Sequence, residues 1–403
     1  MQSLKEFYLI GPGPSSSHTI GPYRASQEFL KEAENVAFNR VEVTLFGSLT
    51  FTGKGHKTDD IILKVFKDYP TNIIFDYQTK TKHPNTFKIN AFLDELLVLS
   101  KTYVSTGGGS FNELGRETPI DKRIYPFKSF EEIKTYMNEE NIETLDKFVD
   151  KFEPDLNSYL EKVLEVMFNS VELGISTDGF LYASKTLQVK RVAKDMYLEA
   201  LSLDDLEKQH LLLASFAYAV AEVNAAQGLI VTAPTCGSSG ILPSILYYAH
   251  KYQNIPKEKL INALKVAGII GNLFKHNASI SGAVHGCQAE IGVATTMGAV
   301  ALASINNLSL YALEYAAEVA LEHALGLTCD PVDGYVVIPC IERNGVFVIR
   351  AVSSYLLAKN VSKLRKNRVS LDNIIETMKI TGDAIHPYYR ETSKGGLAKI
   401  IKD

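Results

Sequence analysis

The chain has 403 residues, 46% of them hydrophobic and 22% charged, with a formal net charge of -4. That is enough apolar sequence for a large core and two domains, and it excludes a disordered or fibrous chain. No basic stretch dominates, which speaks against nucleic acid as a partner, and four widely separated cysteines exclude a disulfide scaffold.

The opening MQSLKEFYLIGPGP has no secretory apolar region, so a cytoplasmic location is expected. It leads into GPGPSSSHTIGPYRASQEFLKEAE, where Pro14 and Pro22 stiffen a serine-rich loop and a helix starts near Pro22. Ser15, Ser16, Ser17, His18 and Thr19 place hydroxyls and an imidazole where the first N–H groups of that helix could face an anion. On composition alone, a solvent-facing loop with capping serines is the favoured reading.

VEVTLFGSL (41–49) alternates as a strand does. In FTGKGHKTDDIILKVF, Gly53 and Gly55 permit a tight turn that presents His56, and Thr58 or Asp59 can cap the following helix. TNIIFDYQ is a second strand, and KTYVSTGGGSFN ends a later one in Gly107, Gly108 and Gly109. Three glycines in a row require either close approach of the backbone to something or unusual dihedrals. The alternation of strands and helices gives an α/β first domain. Residues 129–158 are charged and lack a dense apolar face, so they are expected to form a surface connector with one or two helices. The expected domains are 1–150 and 151–403.

After Pro154 the apolar spacing becomes helical throughout. SKTLQVKRVAKDMY, with Lys185, Lys190, Arg191 and Lys194, is expected to be a solvated helix face. Asn224 lies in a helix of small side chains, and the turn TAPTCGSSG, with Thr235, Cys236, Gly237 and Ser238, exposes hydroxyls and backbone donors suited to a carboxylate. The stretches 223–250 and 291–313 carry no charged residue, and central helices buried by other helices explain them better than membrane spans. Cys287, Cys329 and Cys340 each stand beside turn formers or small residues, 42 and 11 positions apart, so a common soft-metal site is geometrically reasonable. Buried unliganded thiols are the alternative. In the tail HPYYRETSKGGLAKIIKD, Gly395 and Gly396 allow a turn that could carry the tail back toward the site.

The segments GPSSSHTIGP, GCQAEIGVA, EHALGLTCDPVDG, IPCIERN and ETSKGGLA, in this order along nearly the whole chain, resemble the signature segments of the iron–sulfur-dependent L-serine dehydratases. The resemblance implies an α+β protein of two domains, an N-terminal α/β domain with a mixed sheet and a larger all-helical domain. It implies a [4Fe-4S] cluster held by Cys287, Cys329 and Cys340, with the remaining iron meeting a small amino-acid substrate. L-serine would be converted to pyruvate and ammonia. His56 is the preferred base and His18 the group that orients it or transfers protons. The serine loop, Asn224 and the residues from Thr235 to Ser238 would bind substrate, together with Asn277 and Ser279 of KHNASISG. A homodimer is expected.

Two departures bear on the substrate. Cys236 stands where many relatives have asparagine, and Val284 and His285 where they commonly have glutamate and valine. L-threonine, L-cysteine or another small substituted amino acid, or a noncatalytic amino-acid sensor, are the alternatives these suggest. No cysteine follows Cys340, whereas some relatives end in a cysteine-containing tail, so an open or water-bound iron is expected.

Overall fold

The computed structural model describes residues 1–116, 123–182, 187–392 and 394–401. The chain begins with strand β1 (Ile10–Pro12), a single wide helical turn (Ser16–Ile20), α1 (Gly21–Glu32), β2 (Arg40–Phe46), α2 (Ser48–Thr52) and α3 (Thr58–Val65). Four further strands follow, β3 (Thr71–Asp76), β4 (Thr86–Leu93), β5 (Leu96–Gly107) and β6 (Ser110–Glu113). They form a five-stranded sheet in the order β3-β2-β4-β5-β6, in which β2 and β3 run parallel and the other pairs antiparallel. The alternation in β2 buries Val41, Val43 and Leu45 against Phe29 of α1 and Ile62 of α3. The sheet is mixed, as the family resemblance implies, and it buries one face against helices, as the period-two pattern implies.

The rest is helical: α4 (Phe130–Glu139), α5 (Leu145–Phe152), α6 (Asn157–Ser176), α7 (Ala193–Ser202), α8 (Asp205–Ala225), α9 (Ile241–Gln253), α10 (Lys257–Asn277), α11 (Gly282–His285), α12 (Ile291–Ile305), α13 (Leu310–Glu322), α14 (Cys340–Val361), α15 (Leu371–Ala384) and α16 (Leu397–Ile400). A small hairpin of β7 (Phe180–Tyr182) and β8 (Gln188–Lys190) precedes α7, and β9 (Leu229–Val231) follows α8. The uncharged α12 packs against α9, α10, α13 and α14, so its apolar surface is covered on all sides by helices.

Two segments behave differently from their sequence patterns. The connector is not a surface feature: α4 buries Phe130, Ile133 and Met137, and α5 buries Leu145, Phe148 and Val149, all in the core of the long helices. Three apolar residues on one face of a short helix suffice for this when aromatic rings interleave, as Tyr125, Phe127, Tyr136, Phe148 and Phe152 do here. Within the described part of the basic stretch, residues 187–197, the helix begins at Ala193. Lys190 and Lys194 pair with Asp195 and Asp178 on the surface, and Lys185 lies outside the described residues.

The sheet is anchored to the helices at two places. Met1, Leu4, Phe7 and Tyr8 belong to the core of the long helices, and β1 pairs antiparallel with β9, Ile10 opposite Val231. At the end of β5, Gly107, Gly108 and Gly109 all take positive φ (96°, 59° and 86°). A side chain on Gly107 would press on Ser281, and one on Gly108 would overlap Ile280. Unusual dihedrals and close approach therefore coincide: Gly107 and Gly108 approach the loop leading to α11, and Gly109 approaches Leu9 and Ile20.

Candidate active site

Two turns of the first domain bring two imidazoles together. In the serine loop, Ser15 Oγ accepts the N–H of His18 at 3.2 Å, and Thr19 Oγ1 accepts the N–H of Ser15 at 3.2 Å. The loop is buried from Ser15 to Thr19, which rules out the solvent-facing reading. Beyond β2, the backbone turns at α2 and again at Lys57, which takes a left-handed φ of 56°, so that His56 projects inward. The two rings lie 4.5 Å apart between centroids at 51°.

Their surroundings differ. His18 is held through both nitrogens, with Ser17 Oγ at 2.9 Å from Nδ1 and with Thr52 Oγ1 at 2.9 Å and Ser48 Oγ at 3.1 Å from Nε2. His56 is equally buried, yet neither ring nitrogen has a side-chain hydrogen-bond partner among the described residues, and only the Thr52 backbone approaches the ring as a weak partner. Its nearest charged neighbour is Glu391, whose Oε1 lies 3.8 Å from Nε2. Donor atoms of His18, His56 and Glu391 all fall within 4.8 Å of one another. Burial lowers the pKa of His18 to about 4. His56 is also held well below the usual histidine value, by burial first and by His18 second. Both rings are therefore neutral at physiological pH.

The thiols converge in the helical domain. Cys287 and Cys329 are buried in one small apolar group, and Cys340 opens α14, where Arg343 follows one turn later. The Cys329 thiol hydrogen-bonds to the Cys287 sulfur, which with Arg343 alongside lowers the Cys287 pKa to about 6, while Cys329 is correspondingly raised. Cys340 is raised by burial and then by the charge of Cys287. The Arg343 guanidinium feels all three sulfurs and is fixed by Thr328 O at 2.7 Å. Three converging sulfurs with a cation beside them fit a soft thiolate-bound metal group such as an iron–sulfur cluster. Cys236 packs instead in the core of the long helices, and burial holds its thiol protonated.

The C-terminal tail joins the two halves. Cys329 N–H donates to Tyr389 O at 2.8 Å and Glu391 N–H to Cys329 O at 2.7 Å, so residues 389–391 lie alongside the cysteine segment. Glu391 is buried, and its carboxyl is pushed up to about 7 by burial and then by Cys287. Further along, Leu397 N–H donates to Asp330 Oδ2 at 2.8 Å.

The remaining sequence candidates divide. Thr235 hydrogen-bonds to the carboxyl of Glu290, and its hydroxyl lies 3.1 Å from Ser238 Oγ. Gly237 faces Glu290 and Val336, and its carbonyl accepts from Asn344 at 2.8 Å. Burial, and next Glu391, hold the Glu290 carboxyl well above the usual carboxylate range. Ser16 is buried within its turn. Asn224 Nδ2 donates to Pro14 O at 2.9 Å and so braces the serine loop. Asn277, at the end of α10, donates to Lys128 O at 2.8 Å and ties that helix to the segment before α4, while Ser279 Oγ accepts from Ser281 N–H at 3.0 Å, a local tie of the loop before α11. His285 turns toward α15 and lies 3.3 Å from Asp383. His323 is exposed. A cavity of about 300 Å³ at the domain junction is lined by Pro14, Gly55, Lys57, Arg191 and Val336, next to the loops that carry His18, His56 and Gly237.

Sequence reasoning missed Glu391, Glu290, Arg343, Ser48 and Thr52. Glu290 and Arg343 each stand three residues after a cysteine, a spacing that returns a side chain toward its predecessor on a helical turn. Glu391 carries no such local signal.

Known proteins match this chain along its length. Residues 79–398 match the family model for the serine dehydratase alpha chain, and residues 3–67 that for the serine dehydratase beta chain. L-serine dehydratase 2 of Escherichia coli (strain K12) is 37% identical, with 100% of this chain and 99% of the relative covered. L-serine dehydratase 1 of the same strain is 35% identical, and L-serine dehydratase of Helicobacter pylori (strain ATCC 700392 / 26695) 36%, each with 99% of both chains covered. The chain thus belongs to the L-serine dehydratase family, with its beta and alpha parts joined in one polypeptide.

Proposed function

We propose that the chain is an L-serine ammonia-lyase that forms pyruvate and ammonia, with His56 as the base that removes the Cα proton. The observation that carries this reading is the contrast between the two imidazoles. His18 has both nitrogens occupied by hydroxyls, whereas His56 is buried, neutral and without a side-chain hydrogen-bond partner among the described residues, the Thr52 backbone being its one weak contact. A base needs a free lone pair directed at substrate, and His56 supplies one.

His18 then acts as the fixed wall of the site, its ring locked by Ser17, Ser48 and Thr52 so that it orients His56 and the substrate. Hydroxyls of the serine loop and of the turn from Thr235 to Ser238 suit the substrate carboxylate, since both are buried and a partly desolvated site strengthens such bonds. Cys287, Cys329 and Cys340 would hold a [4Fe-4S] cluster, which when bound supplies a Lewis acid for the departing hydroxyl. Burial of the histidines excludes bulk water, which protects the enamine product until it is released to hydrolyse.

The test is to purify the protein without oxygen, determine iron and acid-labile sulfide, and follow pyruvate on addition of L-serine. About four irons per chain with pyruvate formation support the reading, four being the cluster's own stoichiometry. A full cluster that turns over L-threonine or L-cysteine but not L-serine would move the substrate, and a preparation with no cluster would remove the reading.

A further inference from the structure

We propose that Glu391, delivered by the C-terminal strap, is the charge partner of His56 during proton removal, a positioning residue that completes the reacting site. This rests on the lyase reading above. Proton removal breaks the Cα–H bond and forms N–H on His56, and the Cα–H electron pair becomes the Cα=Cβ bond as the Cβ–O bond breaks. The departing hydroxide takes the proton that His56 received and leaves as water, so no second proton donor and no oxidant is needed.

The difficulty in this sequence is the charge on His56 in the middle of it. A fully buried imidazolium 4.5 Å from a second imidazole is costly unless an anion stands beside it. Glu391 is the carboxylate in place, 3.8 Å from His56 Nε2 and itself buried. That separation is just beyond a hydrogen bond and closes by a small movement when substrate fills the site.

The backbone shows that this placement is built. Glu391 takes a left-handed φ of 56°, which non-glycine residues adopt uncommonly, and the conformation is fixed on one side by its N–H bond to Cys329 O at 2.7 Å. On the other side, Asp330 receives Leu397 N–H at 2.8 Å. The strap thus ties the position of Glu391 to the cysteine segment and its carboxylate to the histidines. A metal ion held by His18, His56 and Glu391 is a poorer account, because both nitrogens of His18 are already committed to hydroxyls.

The test compares wild type, Glu391→Gln and Glu391→Asp, all prepared without oxygen and normalised to iron, with L-serine and with L-serine deuterated at Cα. The expected result for Glu391→Gln is a kcat lower by about a hundredfold or more at nearly unchanged KM, with a larger isotope effect on kcat/KM. Glu391→Asp should recover part of the rate. A Glu391→Gln protein with wild-type kcat and isotope effect overturns this inference alone, as does a loss of activity that disappears once iron is normalised. Stoichiometric zinc in the wild type, lost in Glu391→Gln, would replace it with the metal account. A wild-type protein with full iron and no pyruvate overturns the lyase reading and this inference with it.

Discussion

The Thr19 hydroxyl donates to the carbonyl of His56 at 2.7 Å, and the Thr58 hydroxyl donates in return to the carbonyl of His18 at 2.6 Å. Each histidine turn therefore satisfies a buried carbonyl of the other, which sets the distance between the rings by backbone ties and not by ring contact alone. Replacing Thr19 with valine keeps the shape and removes the donor. The His56 carbonyl and the Ser15 N–H that Thr19 Oγ1 accepts are both orphaned, each at a cost of about 1–3 kcal/mol of stability. Denaturant unfolding reads that loss, and kcat should fall with it because His56 is no longer held in register.

Burial of the histidines makes stability depend on pH in a definite direction. His18 has a folded pKa of about 4 against an ordinary 6.5, so between these values the unfolded chain binds more protons. Its contribution is fully present above about 6.5 and is lost as pH falls toward 4, amounting to about 3 kcal/mol from this group. His56 acts in the same direction. Unfolding measured from pH 7 to pH 4 should show a shallower decline in His18→Gln than in wild type; an unchanged slope would mean that His18 is not neutral in the folded protein.

Gly282 reports on the thiol set. A methyl group there would lie 2.8 Å from Glu290 Oε2 and 2.9 Å from Cys329 Sγ, closer than packed atoms allow. Gly282→Ala should therefore displace Cys329 and reduce the iron and labile sulfide bound per chain, while far-ultraviolet circular dichroism stays native. Full iron content in this variant would show that the sulfur positions tolerate the shift.

Gly396 makes the corresponding test of the strap. Its φ is +59°, and a side chain there would overlap the Asp330 carboxylate that receives Leu397 N–H. Gly396→Ala should loosen the tail, expose it to early proteolysis and lower turnover per iron, without unfolding the helical core.

What the sequence revealed about this site follows from how local each feature is. The serine-rich turn and the GKGHK turn are legible because glycine, proline and serine mark them, and Cys287, Cys329 and Cys340 because thiols beside turn formers are uncommon in a core. The strands and the long helices are legible from periodicity, Val41, Val43 and Leu45 in β2 being the clearest case. Glu391 was hidden because its role depends on a contact with a segment more than 60 positions earlier, and one glutamate in a polar tail looks like any other. The burial of the connector is not legible in its own sequence because Phe130, Phe148 and their neighbours gain it from partners elsewhere in the chain. The glycine run announced a close approach without naming Ile280 and Ser281 as its object.

The most direct measurement of the central claim sets wild type beside His56→Gln, both purified without oxygen and matched for iron, and follows pyruvate from L-serine. The account predicts pyruvate from the wild type and a loss of about 10²- to 10⁴-fold in kcat for His56→Gln at equal iron content. Equal rates from the two proteins, or no pyruvate from a fully iron-loaded wild type, would contradict it.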